Sequence, residues 1–257
     1  MKKYMALGAV LAALGAAGAA IGQTAAAGGA AAAQADGGLS MLPVIVEHDT
    51  KPGPLATYTI ANRSATPMTV TVTPRPWVQS PAGKVSPNRK ATLSSQFSVS
   101  PASFTLASGA TQEVNVALTS APPGGSLYGA LEVVGLPADA ATRKGVVLGY
   151  RLVGSLRILP AAPKVSLAVR NAKVSGKTAV LPVKNGGNTI DPVSGTLRVQ
   201  GASGTRNFSI PSVRILPGKT VNVSLGKSLS SGSYTATLTL NQRGKRVVNL
   251  KKKFRIK

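Results

Sequence analysis

The chain has no cysteine among its 257 residues, which removes disulfides, thiolate metal sites, thiol nucleophiles and a lipid-modified cysteine anchor together. Acids and imidazoles are nearly as scarce, with seven Asp or Glu and a single histidine, His48. A metal centre needs three or four converging ligands, and a general base needs a nucleophile within hydrogen-bond reach, so little is left from which to build a reactive site. His48 lies between Glu47 and Asp49, and the triplet reads as the polar end of a strand. No serine sits in a G-x-S-x-G or S-x-x-K setting. Neither Gly124-Gly125 nor Gly186-Gly187 is followed by a helix or a phosphate-loop lysine. The expectation is a protein that is not an enzyme and carries no metal or cofactor.

Helical periodicity is almost absent, and aromatics make up only 4% of residues. One long apolar run exists, from Met5 to Gly22, after Lys2 and Lys3 and before an Ala-Gly stretch that ends at Ala33-Gln34-Ala35. A basic end, an apolar segment and small residues in an A-x-A pattern describe a secretory signal peptide over residues 1–35. The mature chain is then expected to begin at Asp36 and to work outside the cytoplasm, in a periplasm or at the cell surface.

Positive charge is plentiful, at a net +23, and unevenly placed. Residues 36–160 carry ten Lys or Arg against six Asp or Glu, a net +4, whereas residues 161–257 carry eighteen against one, a net +17. Such asymmetry points to a polyanionic neighbour. An exported protein seldom meets nucleic acid, so an acidic wall polymer or an anionic lipid is favoured.

The chain also repeats itself. Phe97-Ser-Val-Ser-Pro, a turn at Ser108-Gly109, Val114-Asn115-Val116 and Gly125-Ser126-Leu127-Tyr128 are echoed by Phe208-Ser-Ile-Pro, Pro217-Gly218, Val221-Asn222-Val223 and Gly232-Ser233-Tyr234. Ahead of each copy, Thr59-Ile60-Ala61-Asn62, Pro67 and Val70-Thr71-Val72 match Pro182-Val183-Lys184-Asn185, Pro192 and Leu197-Arg198-Val199. A period of roughly 110 residues exceeds any solenoid unit and suits a β-sandwich. Short Val, Thr, Ile and Leu runs alternate with Pro, Gly, Asn and Ser clusters throughout, the all-β signature. Seven segments in each half read as strands, which predicts two tandem immunoglobulin-like sandwiches, residues 36–160 and 161–257. Pro160-Ala-Ala-Pro163 is a short, stiff connection between them. The sequons at Asn62, Asn207 and Asn222 match a glycosylation pattern that often arises by chance.

Two segments stand out. From Val146 to Leu159 one face of an extended strand carries Val146, Leu148, Tyr150, Leu152, Leu156 and Ile158, interrupted by Gly154. A strand of that length, apolar on both faces, is either buried between neighbours or an edge that a partner covers. In the last strand Val248, Leu250, Phe254 and Ile256 face one way and Lys251, Lys253, Arg255 and Lys257 the other. That stripe suits an extended anion, or equally protects an edge against pairing. Lys252 breaks its inner face, as at a bulge or a sheet end.

Residues Thr57 to Pro67 running into Val70 to Trp77, then Val99-Ser-Pro101, Phe104 to Gly109, Ser126 to Tyr128 and the strand ending at Pro160 resemble periplasmic pilus-assembly chaperones in order and spacing. The resemblance covers about Leu42 to Pro163. It implies capture of an extracytoplasmic protein subunit, pilin-like or another surface protein, by strand addition. Carried over, Val146, Leu148, Tyr150 and Leu152 are the donor residues, and Leu156 continues their face. That family holds the subunit's terminal carboxylate with cations on its first and donor strands, for which Lys51, Arg151 and Arg157 are the available residues here. A second resemblance rests on Gly232-Ser-Tyr234, Leu238 and Phe254-Arg-Ile256, which are similar to Gram-positive surface proteins that interact with WxL proteins. It implies an adhesion or interaction protein held on an acidic polymer or lipid by residues 161–257.

Overall fold

A computed structural model describes residues 37–226 and 229–257, so the signal-peptide reading of residues 1–35 lies outside the described residues. The first half contains β1 (Leu39–Leu42), β2 (Ile45–His48), β3 (Gly53–Asn62), β4 (Met68–Gln79), β5 (Val85–Pro87), β6 (Phe97–Ser100), β7 (Ser103–Leu106), β8 (Thr111–Leu118), β9 (Leu127–Pro137) and β10 (Tyr150–Ile158). The second contains β11 (Leu167–Val169), β12 (Lys173–Ser175), β13 (Thr178–Asn185), β14 (Val193–Gly201), β15 (Gly204–Val213), β16 (Thr220–Gly226), β17 (Gly232–Gln242) and β18 (Lys245–Ile256). No helix occurs among the described residues.

The strands form two sandwiches. In the first, a sheet ordered β1-β3-β8-β6 faces one ordered β2-β10-β9-β4-β5, with β7 also on β4. Alternation sends Tyr58 and Ile60 of β3, Val114 and Val116 of β8, and Leu131, Val133 and Leu156 of the facing sheet into a shared core. Each large apolar side chain removed from water contributes about 1.5–3 kcal/mol, so the core rests on aliphatics, as the scarcity of aromatics requires. In the second sandwich β13 pairs with β11, β12 and β16, and it faces a sheet ordered β15-β14-β17-β18. Leu181, Leu197, Leu225 and Leu238 are buried between those layers.

The sequence repeat has a structural counterpart. Asn62 ends β3 and Asn185 ends β13, and both are buried. The Nδ2 of Asn62 donates to Thr66 O at 2.9 Å and Leu106 O at 3.0 Å, while that of Asn185 donates to Thr189 O at 2.8 Å and Ile215 O at 2.7 Å. Gly109 N closes on Asn62 O, and Gly218 N on Asn185 O. The two glycines have φ of 74° and 75°, a left-handed conformation that side-chain-bearing residues seldom adopt. Burial of Asn62 also removes its sequon from reach in the folded chain.

The repeat is not strict. Phe97 is buried on β6, which pairs with β8, whereas Phe208 sits half-exposed on β15, which pairs with β14 in the opposite sheet. The echoed phrase therefore enters different sheets in the two copies. The chain at the start of the first sandwich also serves both sheets. β1 lies in one sheet and β2 in the other, because Pro43 has no N–H to continue a ladder and the chain crosses between layers there.

The halves meet in a defined joint. Trp77 packs against a cluster of Tyr128, Ile190 and Leu216. Tyr128 Oη donates to Asn188 O at 3.0 Å, and burial pushes the phenol's pKa up. Asn222 N donates to Pro81 O at 2.7 Å. The connecting segment is clamped as well, since Lys164 N donates to Asn188 Oδ1 at 2.7 Å and Asn188 Nδ2 to Ala162 O at 3.2 Å.

Candidate strand-binding edge

Strand β10 pairs along its whole length with β9, but on its other side β2 covers only Ser155 to Ile158, in parallel with Ile45 to His48. Ser155 N donates to Val44 O and Leu159 N to His48 O. Because backbone groups alternate in direction along a strand, Arg151 and Val153 turn their N–H and C=O to the same side. No strand lies there among the described residues. Tyr150 to Gly154 is therefore an open edge able to accept another strand.

Exposed apolar side chains gather around this edge. Leu42 is 67% exposed, Val44 52% and Ile45 50%, all at the crossing from β1 to β2, and Val146 and Leu148 just before β10 are 92% and 76% exposed. The first three were not singled out from the sequence. Pro43 within an aliphatic run was the available signal, because a proline there interrupts the ladder and leaves its neighbours without a sheet to cover them. Gly154 admits the close approach of the facing layer, since a Cβ there would lie 3.0 Å from Met41 Cε and 3.3 Å from Val44 O.

The five residues expected to bind a partner strand divide into three groups. Val146 and Leu148 precede the strand instead of belonging to it, because β9 reaches only to Pro137, which offers no N–H, and the chain then turns at Ala138. Tyr150 and Leu152 are on β10, half-buried against the core. Leu156 is fully buried within the sandwich, so its side chain serves the protein's own core.

The candidate carboxylate anchors do not converge. Arg151 and Arg157 share the outer face of β10 but lie six residues, about 20 Å, apart. Arg157 Nη1 donates to Glu47 Oε1 at 2.7 Å. Arg151 and Arg75 each donate to a different carboxylate oxygen of Glu132. Glu132 is only 3% exposed in the middle of the sheet, and two guanidiniums offset the cost of burying its charge. Lys51 is exposed in the turn after β2, with its backbone N on Asp49 Oδ1 at 2.9 Å. Each arginine thus enters the edge already paired, so a partner's carboxylate would have to share it.

The other singled-out residues lie elsewhere. Glu47 is taken by Arg157, and the His48 ring turns to Asp49, with Nδ1 3.1 Å from its carbonyl oxygen. Among the described residues no group of three or more His, Cys, Asp or Glu could hold a metal ion. Lys251, Lys253, Arg255 and Lys257 are exposed on and just past β18. Lys252 sits in regular register opposite Ala236, with the strand's irregularity between Leu240 and Asn241 instead. Its Nζ reaches outward to Asn171 Oδ1 at 3.2 Å, which is how an inward-numbered lysine avoids the core.

These features define an all-β protein of two immunoglobulin-like sandwiches with an unfilled strand edge on the first, the fold of fimbrial chaperones. A chain of a chaperone–tip adhesin complex described for CFA/I fimbriae biogenesis matches at a TM-score of 0.53 and 13% identity, covering 84% of this chain and 98% of that one. The class 5 fimbriae chaperone CfaA matches at 0.52 and 12%, with the same coverage. No protein-family model matches the sequence, and no curated protein does.

Proposed function

We propose that the protein is an exported, non-enzymatic chaperone for extracytoplasmic subunits of the pilin or adhesin kind, working in a periplasm. Residues 36–160 form the capturing domain and residues 161–257 the basic domain beside it. The observation that carries this reading is the open edge of β10 from Tyr150 to Gly154, rimmed by Leu42, Val44, Ile45, Val146 and Leu148. A subunit strand laid along it hydrogen-bonds to the backbone of Arg151 and Val153, and Val146 and Leu148 extend as further apolar contacts once a neighbouring strand is present. Likeness of fold to fimbrial chaperones supports the same reading.

The test is capture of a co-expressed pilin-like subunit by V146D/L148D. Both side chains are solvent-exposed, so the variant is expected to keep the parent's melting temperature while subunit co-purification falls at least tenfold. Undiminished capture would sink the proposal.

A further inference from the structure

The only acid in residues 161–257, Asp191, is ion-paired with Arg243 at 2.7 Å. The cations on the outer face of the β15-β14-β17-β18 sheet therefore have no carboxylate from their own sandwich to neutralise them. Register places them together. Arg198 stands opposite Asn207 on one side and Thr237 on the other, and Thr237 stands opposite Lys251. In the next row Gln200 lies between Thr205 and Thr235, and Thr235 faces Lys253. Arg255 follows Lys253 by two residues along the same edge.

Successive cations on β18 are thus about 6.7 Å apart, and Arg198 lies about 10 Å away across the sheet. Arg198, Lys251, Lys253 and Arg255 are all exposed, and none has an ion-pair partner among the described residues. Between the strands is a shallow depression of about 490 Å³ with Leu197 and Phe208 at its floor and Thr196, Arg198, Asn207, Ser209, Thr237 and Thr239 around them. Its hydroxyls, amide and guanidinium are donors for phosphate oxygens.

We propose that this face docks on a membrane surface bearing anionic phospholipid, with one phosphate headgroup seated in the depression and the β18 cations on its neighbours. Two features favour a lipid surface over other polyanions. The charge is not confined to the line along β18, since Arg198 stands two strands away across the open sheet face. Phe208 is the one aromatic lining the depression, and Tyr234 and Phe254 beside Lys253 and Arg255 are buried, so this face offers no row of rings on which successive nucleobases could stack. Docking here leaves the β10 edge of the first sandwich untouched, so this inference stands or falls separately from the capture reading.

The experiment is co-sedimentation of the full chain with phosphatidylcholine vesicles, with and without an equal part of phosphatidylglycerol, reading the ratio of the two affinities. The N-terminal stretch with Lys2 and Lys3 is the same in every variant, so its contribution cancels when the ratios of the variants are compared. K251Q/K253Q/R255Q is expected to lower the ratio about a hundredfold, from about fivefold for each cation near an anionic surface. K173Q/K177Q/K184Q, with the same loss of charge elsewhere on this sandwich, is expected to leave it within about threefold. Added salt should weaken binding steeply. Equal losses in the two triple variants, or no preference for phosphatidylglycerol, would overturn the assignment. Retention on heparin or single-stranded DNA without vesicle binding would reassign the face to a polysaccharide or a nucleic acid.

Discussion

Gln79 and Leu216, 137 positions apart, share a hydrogen bond of 2.9 Å from Leu216 N to Gln79 Oε1. The same carboxamide donates through Nε2 to Arg214 O at 2.8 Å, so one side chain of the first sandwich takes up two backbone groups of the second. Q79A leaves both groups to water or to nothing, at about 1–3 kcal/mol for any that stays buried. The expected outcome is a lower melting temperature together with a broader spread of inter-sandwich angles, read by residual dipolar couplings. Unchanged couplings would show that the other contacts of the joint, Trp77, Tyr128 and the Asn222–Pro81 hydrogen bond among them, hold it without Gln79.

The paired turns behind Asn62 and Asn185 make a matched prediction. N62D and N185D keep the shape but lose the Nδ2 donors, removing the bonds to Leu106 O and Thr66 O in one case, where Ser64 Oγ still donates to Thr66 O, and to Thr189 O and Ile215 O in the other. Each is expected to cost at least about 3 kcal/mol, or about 8 °C in melting temperature for a chain of this size. Differential scanning calorimetry checks both. A loss in one and not the other would mean that the two turns carry unequal weight.

Glu132 lies between Arg75 and Arg151 on the sheet that carries the open edge. E132Q leaves two guanidiniums facing a neutral amide and is expected to destabilise by about 3 kcal/mol in urea unfolding. It also frees Arg151 at the edge. If Arg151 touches a bound subunit, capture by the surviving folded fraction changes, whereas a purely structural role alters stability alone.

Asp191 supplies the pH dependence. Burial raises its pKa, but hydrogen bonds from Arg243 and Thr189 outweigh that and hold the carboxyl below its ordinary value. A depressed folded pKa means that its stabilisation is present above the unfolded value, about 4, and is lost as pH falls through the folded one. The gap in melting temperature between parent and D191N is therefore expected to be full near neutral pH and to close in acid. A gap constant across that range would contradict the assignment.

Much of the fold was legible from the residues. Alternating aliphatics between turn clusters marked fourteen of the eighteen strands, and the two Asn-closed turns emerged from the internal echo. Four strands of three or four residues, β1, β5, β7 and β12, were missed among the described residues. At the candidate edge, Tyr150 and Leu152 were found by alternation. Leu42, Val44 and Ile45 were not, since apolar residues beside a strand read as core until the crossing at Pro43 is known. The register of Arg151 with Glu132 was equally hidden, because pairing across three strands has no local signature.

The sequence by itself determined the class of structure, the pair of sandwiches, the equivalence of Asn62 and Asn185 and the concentration of charge in residues 161–257. These follow from local alternation, turn chemistry and composition, which need no knowledge of neighbours. Tertiary structure alone decided that β2 stops short of covering β10, that Leu156 belongs to the core while Val146 and Leu148 stand outside, and that Arg198 joins Lys251 on one face. Exposure and adjacency depend on which strands lie side by side, and hydrogen bonding between distant segments sets that order.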